Sequence, residues 1–154
     1  MRVTFSINGS AAAIDVGAQV TLLEAIRESL ALTGSKEACG VGECGNCMVI
    51  MDGAAVPSCL ILAPDAAGSQ IVTIEGLAAD GELDRVQQAF AEEGAFQCGF
   101  CTPGMIITAA VLLAERPEAT PNEIRSALSG VLCRCGSHTK ILKALDALAG
   151  RGTE

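Results

Sequence analysis

Apolar and polar residues alternate from the first positions. Val3, Phe5 and Ile7 are apolar while Arg2, Thr4 and Ser6 are polar, the two-residue period of a half-buried strand. Asn8-Gly9 is a strong hairpin turn, and Ala11 to Val16 is expected to return as a second strand. Thr21 and Glu24 form a capping box, after which Leu22, Ile26 and Leu30 recur every four residues on one helical face. Met48 to Met51, Asp52-Gly53 and Ala54 to Val56 read as a second hairpin, and Ile71 to Ile74 as a closing strand. Two hairpins, one packed helix and a last strand predict a small α+β sheet domain.

From Glu75 onward the period becomes helical. Leu83 to Glu92 reads as one helix. Thr102-Pro103 predicts a cap and an N1 proline before Met105 to Glu115, which is apolar on nearly every side and expected to be buried. Thr120, Pro121 and Glu123 open a third helix that stops at Gly130, and Ile141 to Ala149 makes a fourth, ended by Gly150. The expected arrangement is a four-helix bundle with cysteines only in its connecting loops. A boundary near Glu75–Asp80 divides the chain into domains 1–76 and 77–154, with one group of four cysteines in each.

Half of the 154 residues are apolar, yet there is no Trp or Tyr and only four Phe. The cores must be built from aliphatic side chains, and two domains this small gain from a metal centre as a staple. The net charge of -8 comes from an acidic excess in both halves with no basic stripe, which excludes a nucleic-acid binder. The start reads as strand and turn rather than a signal peptide, and the apolar run Met105 to Ala114 is too short to span a bilayer. A reducing, cytoplasmic compartment is expected, where cysteine spacing points to metal or redox work rather than disulfides.

Eight cysteines fall into two quartets. Cys39, Cys44 and Cys47 form Cys-x4-Cys-x2-Cys, completed by Cys59, which is the plant-type spacing for a [2Fe–2S] cluster. Cys98 and Cys101 form Cys-x2-Cys, and Cys133 and Cys135 form Cys-x-Cys. One [2Fe–2S] cluster takes four thiolates, so eight account for two one-electron centres, an electron relay. Gly40, Gly42 and Gly45 interleave with the first quartet, where they permit tight wrapping and leave N–H groups free to face sulfur. The second quartet lies at helix ends, whose unpaired N–H groups favour an anionic cluster.

Structural zinc also takes four cysteines, but usually as two Cys-x2-Cys pairs, which neither quartet supplies. Arg134 either tunes the second cluster or is a solvated charge, and Gly99 is expected beside the same cluster. His138, the only histidine, reads as a helix-start residue, since both quartets are complete without it. With no GxGxxG, no P-loop and no nucleophile–base pair, the chain is expected to carry electrons and to catalyse nothing alone.

Three motifs then resemble one family, the iron–sulfur subunit of molybdenum hydroxylases, the xanthine oxidase group. They are Gly34-Ser-Lys-Glu-Ala-Cys-Gly-Val-Gly-Glu-Cys-Gly-Asn-Cys, Gln97-Cys-Gly-Phe-Cys-Thr-Pro-Gly-Met and Ser129-Gly-Val-Leu-Cys-Arg-Cys-Gly, in the family's order and spanning almost the whole chain. The resemblance implies a β-grasp ferredoxin domain followed by a four-helix bundle, each with one [2Fe–2S] cluster. It places the bundle cluster nearest the molybdopterin cofactor of a large partner subunit, with Cys135 and Gln97 at the contact. The ferredoxin-type cluster would pass electrons to an FAD subunit, or to a cytochrome. Cys135-Gly-Ser-His differs from the Cys-Thr-Gly-Tyr of many members and is similar to some that reduce cytochromes. Cys101-Thr-Pro-Gly-Met resembles members with a separate FAD subunit, and FAD is the favoured acceptor. A free-standing two-cluster ferredoxin and a zinc-binding interaction module are the alternatives. Substrate contacts lie in another chain, so carbon monoxide, aldehydes, purines and other N-heterocycles all remain open.

Overall fold

The computed structural model describes residues 1–78 and 80–150. Residue 79, within the expected boundary, and residues 151–154, the end of the expected second domain, lie outside the described residues.

Strands β1 (Arg2–Ile7) and β2 (Ser10–Asp15) pair antiparallel with Val3 opposite Ile14. Asn8 and Gly9 both take positive φ, 50° and 77°, as a two-residue turn between twisted strands requires. Strands β3 (Met48–Met51) and β4 (Ala54–Pro57) repeat the device through Asp52-Gly53. Strand β5 (Gln70–Val72) runs parallel to β1 and antiparallel to β3, so the sheet order is β2-β1-β5-β3-β4. The closing strand ends at Val72, short of the expected Ile74. Thr73 is fully buried and donates its N–H to Asn8 Oδ1 at 2.9 Å, which turns the chain away from the sheet. Ile74 instead opens a short helix, α2 (Ile74–Leu77), and packs against the bundle.

Helix α1 (Leu22–Glu24) starts at the expected Thr21/Glu24 capping box and continues as a π-helical turn, Ala25–Ser29. Leu22, Ala25 and Ile26 are fully buried against Phe5, Val49 and Ile71. Each large aliphatic side chain so buried stabilises by roughly 1.5–3 kcal/mol. The widened turn also aims Arg27, whose Nη1 donates to the carbonyls of Thr33 and Ser35 at 3.1 and 2.7 Å. It thereby ties down the segment leading to Cys39.

The second core is formed by α3 (Arg85–Glu93), α4 (Thr102–Glu115), α5 (Pro121–Leu128) and α6 (His138–Ala149). α5 opens at Thr120 and Pro121 as expected, while the starts of the other three differ from the sequence expectation. Leu83 lies outside α3 and is exposed, because Asp84 accepts from the Val86 N–H at 2.8 Å and Gln87 reaches back to the Asp84 N–H. Thr102 is the first residue of α4 rather than its cap, since the Cys101 carbonyl accepts the first helical bond, from Met105. α5 stops at Leu128, before Gly130, and α6 begins at His138 rather than Ile141. Met105, Ile107, Leu113, Phe90, Ile124 and Leu145 fill this core, and α4 also packs on β3 and β4. Among the described residues no helix is long and apolar enough to cross a membrane.

Candidate functional site

All eight cysteines are free thiols at loop or helix-end positions. The loop from Thr33 to Cys47 is held by Arg27, by the Lys36 N–H donating to the Asn46 carbonyl at 3.1 Å, and by the Gly34 N–H donating to Glu75 Oε1 at 2.7 Å. Gly40, Gly42 and Gly45 take φ of 66°, 78° and 68°. A Cβ at Gly42 would meet only the end of the exposed Leu60 side chain, so the need for glycine there is conformational. Cys59 is brought beside Cys47 by Ser58, whose buried hydroxyl donates to the Cys47 carbonyl at 2.7 Å.

Within each quartet the thiols associate two by two. Cys39 lies close enough to Cys44, and Cys59 to Cys47, for the neighbour to shift its titration. In the bundle, Cys98 contacts Cys135, and Cys101 contacts Cys133. Each pair joins residues that the sequence separates differently, so the pairing is a product of the fold. A [2Fe–2S] cluster is held by two thiolates per iron, and this arrangement fits it.

The pairs also differ electrostatically. The N–H of Val41, 3.5 Å from Cys39 Sγ, helped by Cys44, brings the Cys39 thiol down to about 7. The N–H of Phe100 and then the Cys135 thiol lower Cys98. Burial pushes Cys59 up to about 11 and Cys101 up to about 12, each reinforced by its neighbouring cysteine. Burial also raises Cys133, but the Ser137 N–H at 3.4 Å and the Cys101 thiol outweigh it and leave it below the usual thiol value. Each quartet therefore has one more open thiol lowered by backbone N–H groups, Cys39 or Cys98, and one buried thiol raised by desolvation, Cys59 or Cys101. Donors of that kind stabilise thiolates bound to an anionic group.

Gln97 meets Cys135 directly, donating from Nε2 to its carbonyl at 2.9 Å from an exposed position. Gly99, at φ 81°, forms the turn between Cys98 and Cys101, and Arg134 is exposed. Cys98, Cys101 and Cys133 open on a cleft of about 670 Å³ shared with Phe100, Leu132 and Arg134. His138 is the first residue of α6.

Sequence reasoning missed the seam between the quartets. The Leu132 N–H donates to the Cys44 carbonyl at 2.9 Å. A Cβ at Gly45 would lie 2.3 Å from the Gly130 carbonyl oxygen, and one at Gly104 would lie 2.4 Å from the Gly45 carbonyl oxygen. Three glycine backbones are thus in direct contact. The available signal was Gly104 itself, a glycine inside an apolar helix, which marks close approach of another backbone.

Two family models cover the chain, a 2Fe-2S iron-sulfur cluster binding domain over residues 5–74 and a [2Fe-2S] binding domain over residues 73–146. The nicotinate dehydrogenase small FeS subunit of Eubacterium barkeri is 47% identical over 145 residues, covering 94% of this chain and 92% of that protein. The nicotine 6-hydroxylase small subunit of Paenarthrobacter nicotinovorans is 44% identical over 148 residues, covering 96% and 89%. A chain of the crystal structure of quinoline 2-oxidoreductase from Pseudomonas putida 86 superposes with a TM-score of 0.94 at 42% identity, covering 99% of this chain and 95% of that one. The chain belongs to the iron–sulfur subunits of the molybdenum hydroxylase family. It is the non-catalytic electron-transfer part of an oxidoreductase, its cofactors are two [2Fe–2S] clusters, and its fold is the α+β arrangement of those relatives.

Proposed function

We propose that Cys39, Cys44, Cys47 and Cys59 hold one [2Fe–2S] cluster and Cys98, Cys101, Cys133 and Cys135 the other, within domains 1–76 and 77–154. The observation that carries this is the two-by-two association of the thiols at both sites. When bound, each cluster takes up and gives back one electron. The chain's own residues hold the sulfurs, bury Cys47, Cys59 and Cys101, and fix the two loops against each other through Gly45, Gly104 and Gly130.

The bundle quartet is the side that receives electrons, facing a large molybdopterin-bearing subunit with Gln97 and Cys135 at the contact. Phe96, Phe100 and Leu132 are exposed around it, an apolar rim suited to a protein partner. The sheet quartet is the side that passes them on, toward an FAD-bearing subunit. Val41, Leu60 and Leu62 form a second exposed apolar rim there. Two rims support a subunit between two partners over a free-standing ferredoxin. Ser137 is buried with its N–H on Cys133, and His138 opens α6, so both departures from the common family pattern are occupied locally and do not favour a cytochrome acceptor. Eight free thiols fit a cytoplasmic setting. Relatives act on nicotinate, nicotine and quinoline by name, which supports an N-heterocycle as the partner's substrate.

Purification from the native host tests this reading. A red-brown complex with about four irons and four labile sulfides per chain is expected, two for each cluster, together with molybdenum and FAD. A colourless chain carrying zinc, or one purified without large subunits, contradicts it.

A further inference from the structure

Asn46 lies between Cys44 and Cys47 in the sheet-domain loop, yet it lines the cleft of the other quartet, beside Cys98, Cys101 and Cys133. It is 6% exposed, and its side-chain Oδ1 has no hydrogen-bond partner. A buried amide oxygen left without a donor costs about 1–3 kcal/mol, so something else has to occupy this group in the working protein. Its backbone cannot move away to find water. The Asn46 carbonyl accepts the Lys36 N–H at 3.1 Å, and its Cα lies 3.2 Å from the place a Cβ would take on Gly104. Only the side chain is free to turn. A half-turn about its terminal torsion exchanges Oδ1 for the two-donor Nδ2. Sulfides and thiolates of an anionic cluster accept hydrogen bonds and donate none, so a donor is what a neighbouring cluster selects.

We propose that Asn46 is a cross-domain positioning residue whose side-chain amide donates to a sulfur of the [2Fe–2S] group held by the bundle quartet. It belongs to the loop of one centre and sets the potential of the other. A hydrogen bond to a cluster sulfur stabilises the more negative, reduced form and raises the reduction potential. Asn46 therefore makes the bundle centre easier to reduce than it would otherwise be. The inference rests on the reading that both quartets hold clusters, and the experiment separates the two.

The test is a redox titration of the full chain, loaded with iron and sulfide and followed by electron paramagnetic resonance. Two distinct [2Fe–2S] signals in the parent chain test the reading itself, and Cys135→Ser assigns the bundle signal by removing it. Given both signals, Asn46→Leu, similar in volume but without a donor, is expected to lower the bundle midpoint and leave the sheet midpoint in place. The expected change is about tenfold in the reduced-to-oxidised ratio of the bundle centre, or about 59 mV for one electron. Asn46→Ala carries the same expectation should the leucine variant fail to load. A shift confined to the sheet centre, no shift in either, or loss of the sheet centre in both variants overturns the proposal, because each makes Asn46 a part of its own loop alone.

Discussion

The backbone N–H of Leu132 donates to the carbonyl of Cys44 at 2.9 Å. Leu132 precedes Cys133, so one hydrogen bond and one residue separate a proposed ligand of the bundle centre from a proposed ligand of the sheet centre. The contact is possible because Gly45, Gly104 and Gly130 leave no side chain between the two loops. The seam between the domains is therefore backbone against backbone, and it tolerates no added atom.

Gly104→Ala tests that seam with opposing expectations. Alanine is the better helix former by about 1 kcal/mol. Its Cβ, however, would lie 2.4 Å from the Gly45 carbonyl oxygen, and overpacking of this kind costs about 1–3 kcal/mol. The contact is expected to win because both sides are backbone and neither can rotate away. A lowered urea midpoint, with faster amide exchange at Leu132, is the expected result. A raised midpoint would show that the domains separate freely.

Cys135→Ser is expected to remove the bundle centre's paramagnetic signal and about half of the iron, two of four atoms, while the sheet signal persists. In the assembled enzyme the same variant should block reduction of the sheet centre by substrate. Normal substrate-driven reduction there would reverse the proposed order of the two centres.

Gln97→Ala removes the bond to the Cys135 carbonyl at an exposed position. One neutral hydrogen bond contributes about 0.5–1.5 kcal/mol, so the melting of the isolated chain should change little. Substrate-driven reduction in the complex should fall by much more than that, since Cys135 loses its orientation toward the large subunit. Equal and small effects on both measurements would leave Gln97 an ordinary loop residue.

Acid should loosen two helix starts. Glu24 and Glu123 are each held below the ordinary carboxylate value, first by the backbone N–H of the capping threonine, Thr21 or Thr120, and then by its hydroxyl. Groups with a depressed folded value stabilise the protein above their unfolded value of about 4.5. That contribution is lost as pH falls through the lower folded value. Urea midpoints measured from pH 6 downward should decline less steeply in the pair variant Glu24→Gln with Glu123→Gln. An unchanged slope would mean that these carboxylates behave alike in the folded and unfolded chain.

Much of this protein was written in local spacing. Two-residue alternation at Val3, Phe5 and Ile7 and the Asn8-Gly9 and Asp52-Gly53 turns specify the hairpins, because turn dihedrals and strand periodicity depend on neighbours in the chain. The capping boxes at Thr21 and Thr120 mark helix starts for the same reason. Element ends were less legible where a distant group intervened. Asn8, 65 residues away, ends β5 by taking the Thr73 N–H, and no window around Ile74 contains that fact. The two cysteine quartets, and the two centres they imply, were visible from spacing alone.

What spacing could not decide is which thiols stand together and how the quartets meet. Cys39 and Cys44 meet within one loop, whereas the pairs Cys47–Cys59, Cys98–Cys135 and Cys101–Cys133 arise only when segments from separate elements are brought to one place. Asn46 reads as an ordinary loop residue until the bundle closes over it. The glycine seam and the Leu132–Cys44 bond are likewise long-range, made by two domains whose cores are separately specified. Sequence determines what each segment can hold. Packing determines what faces what, because the distances between segments are set by side chains and backbones that are remote along the chain.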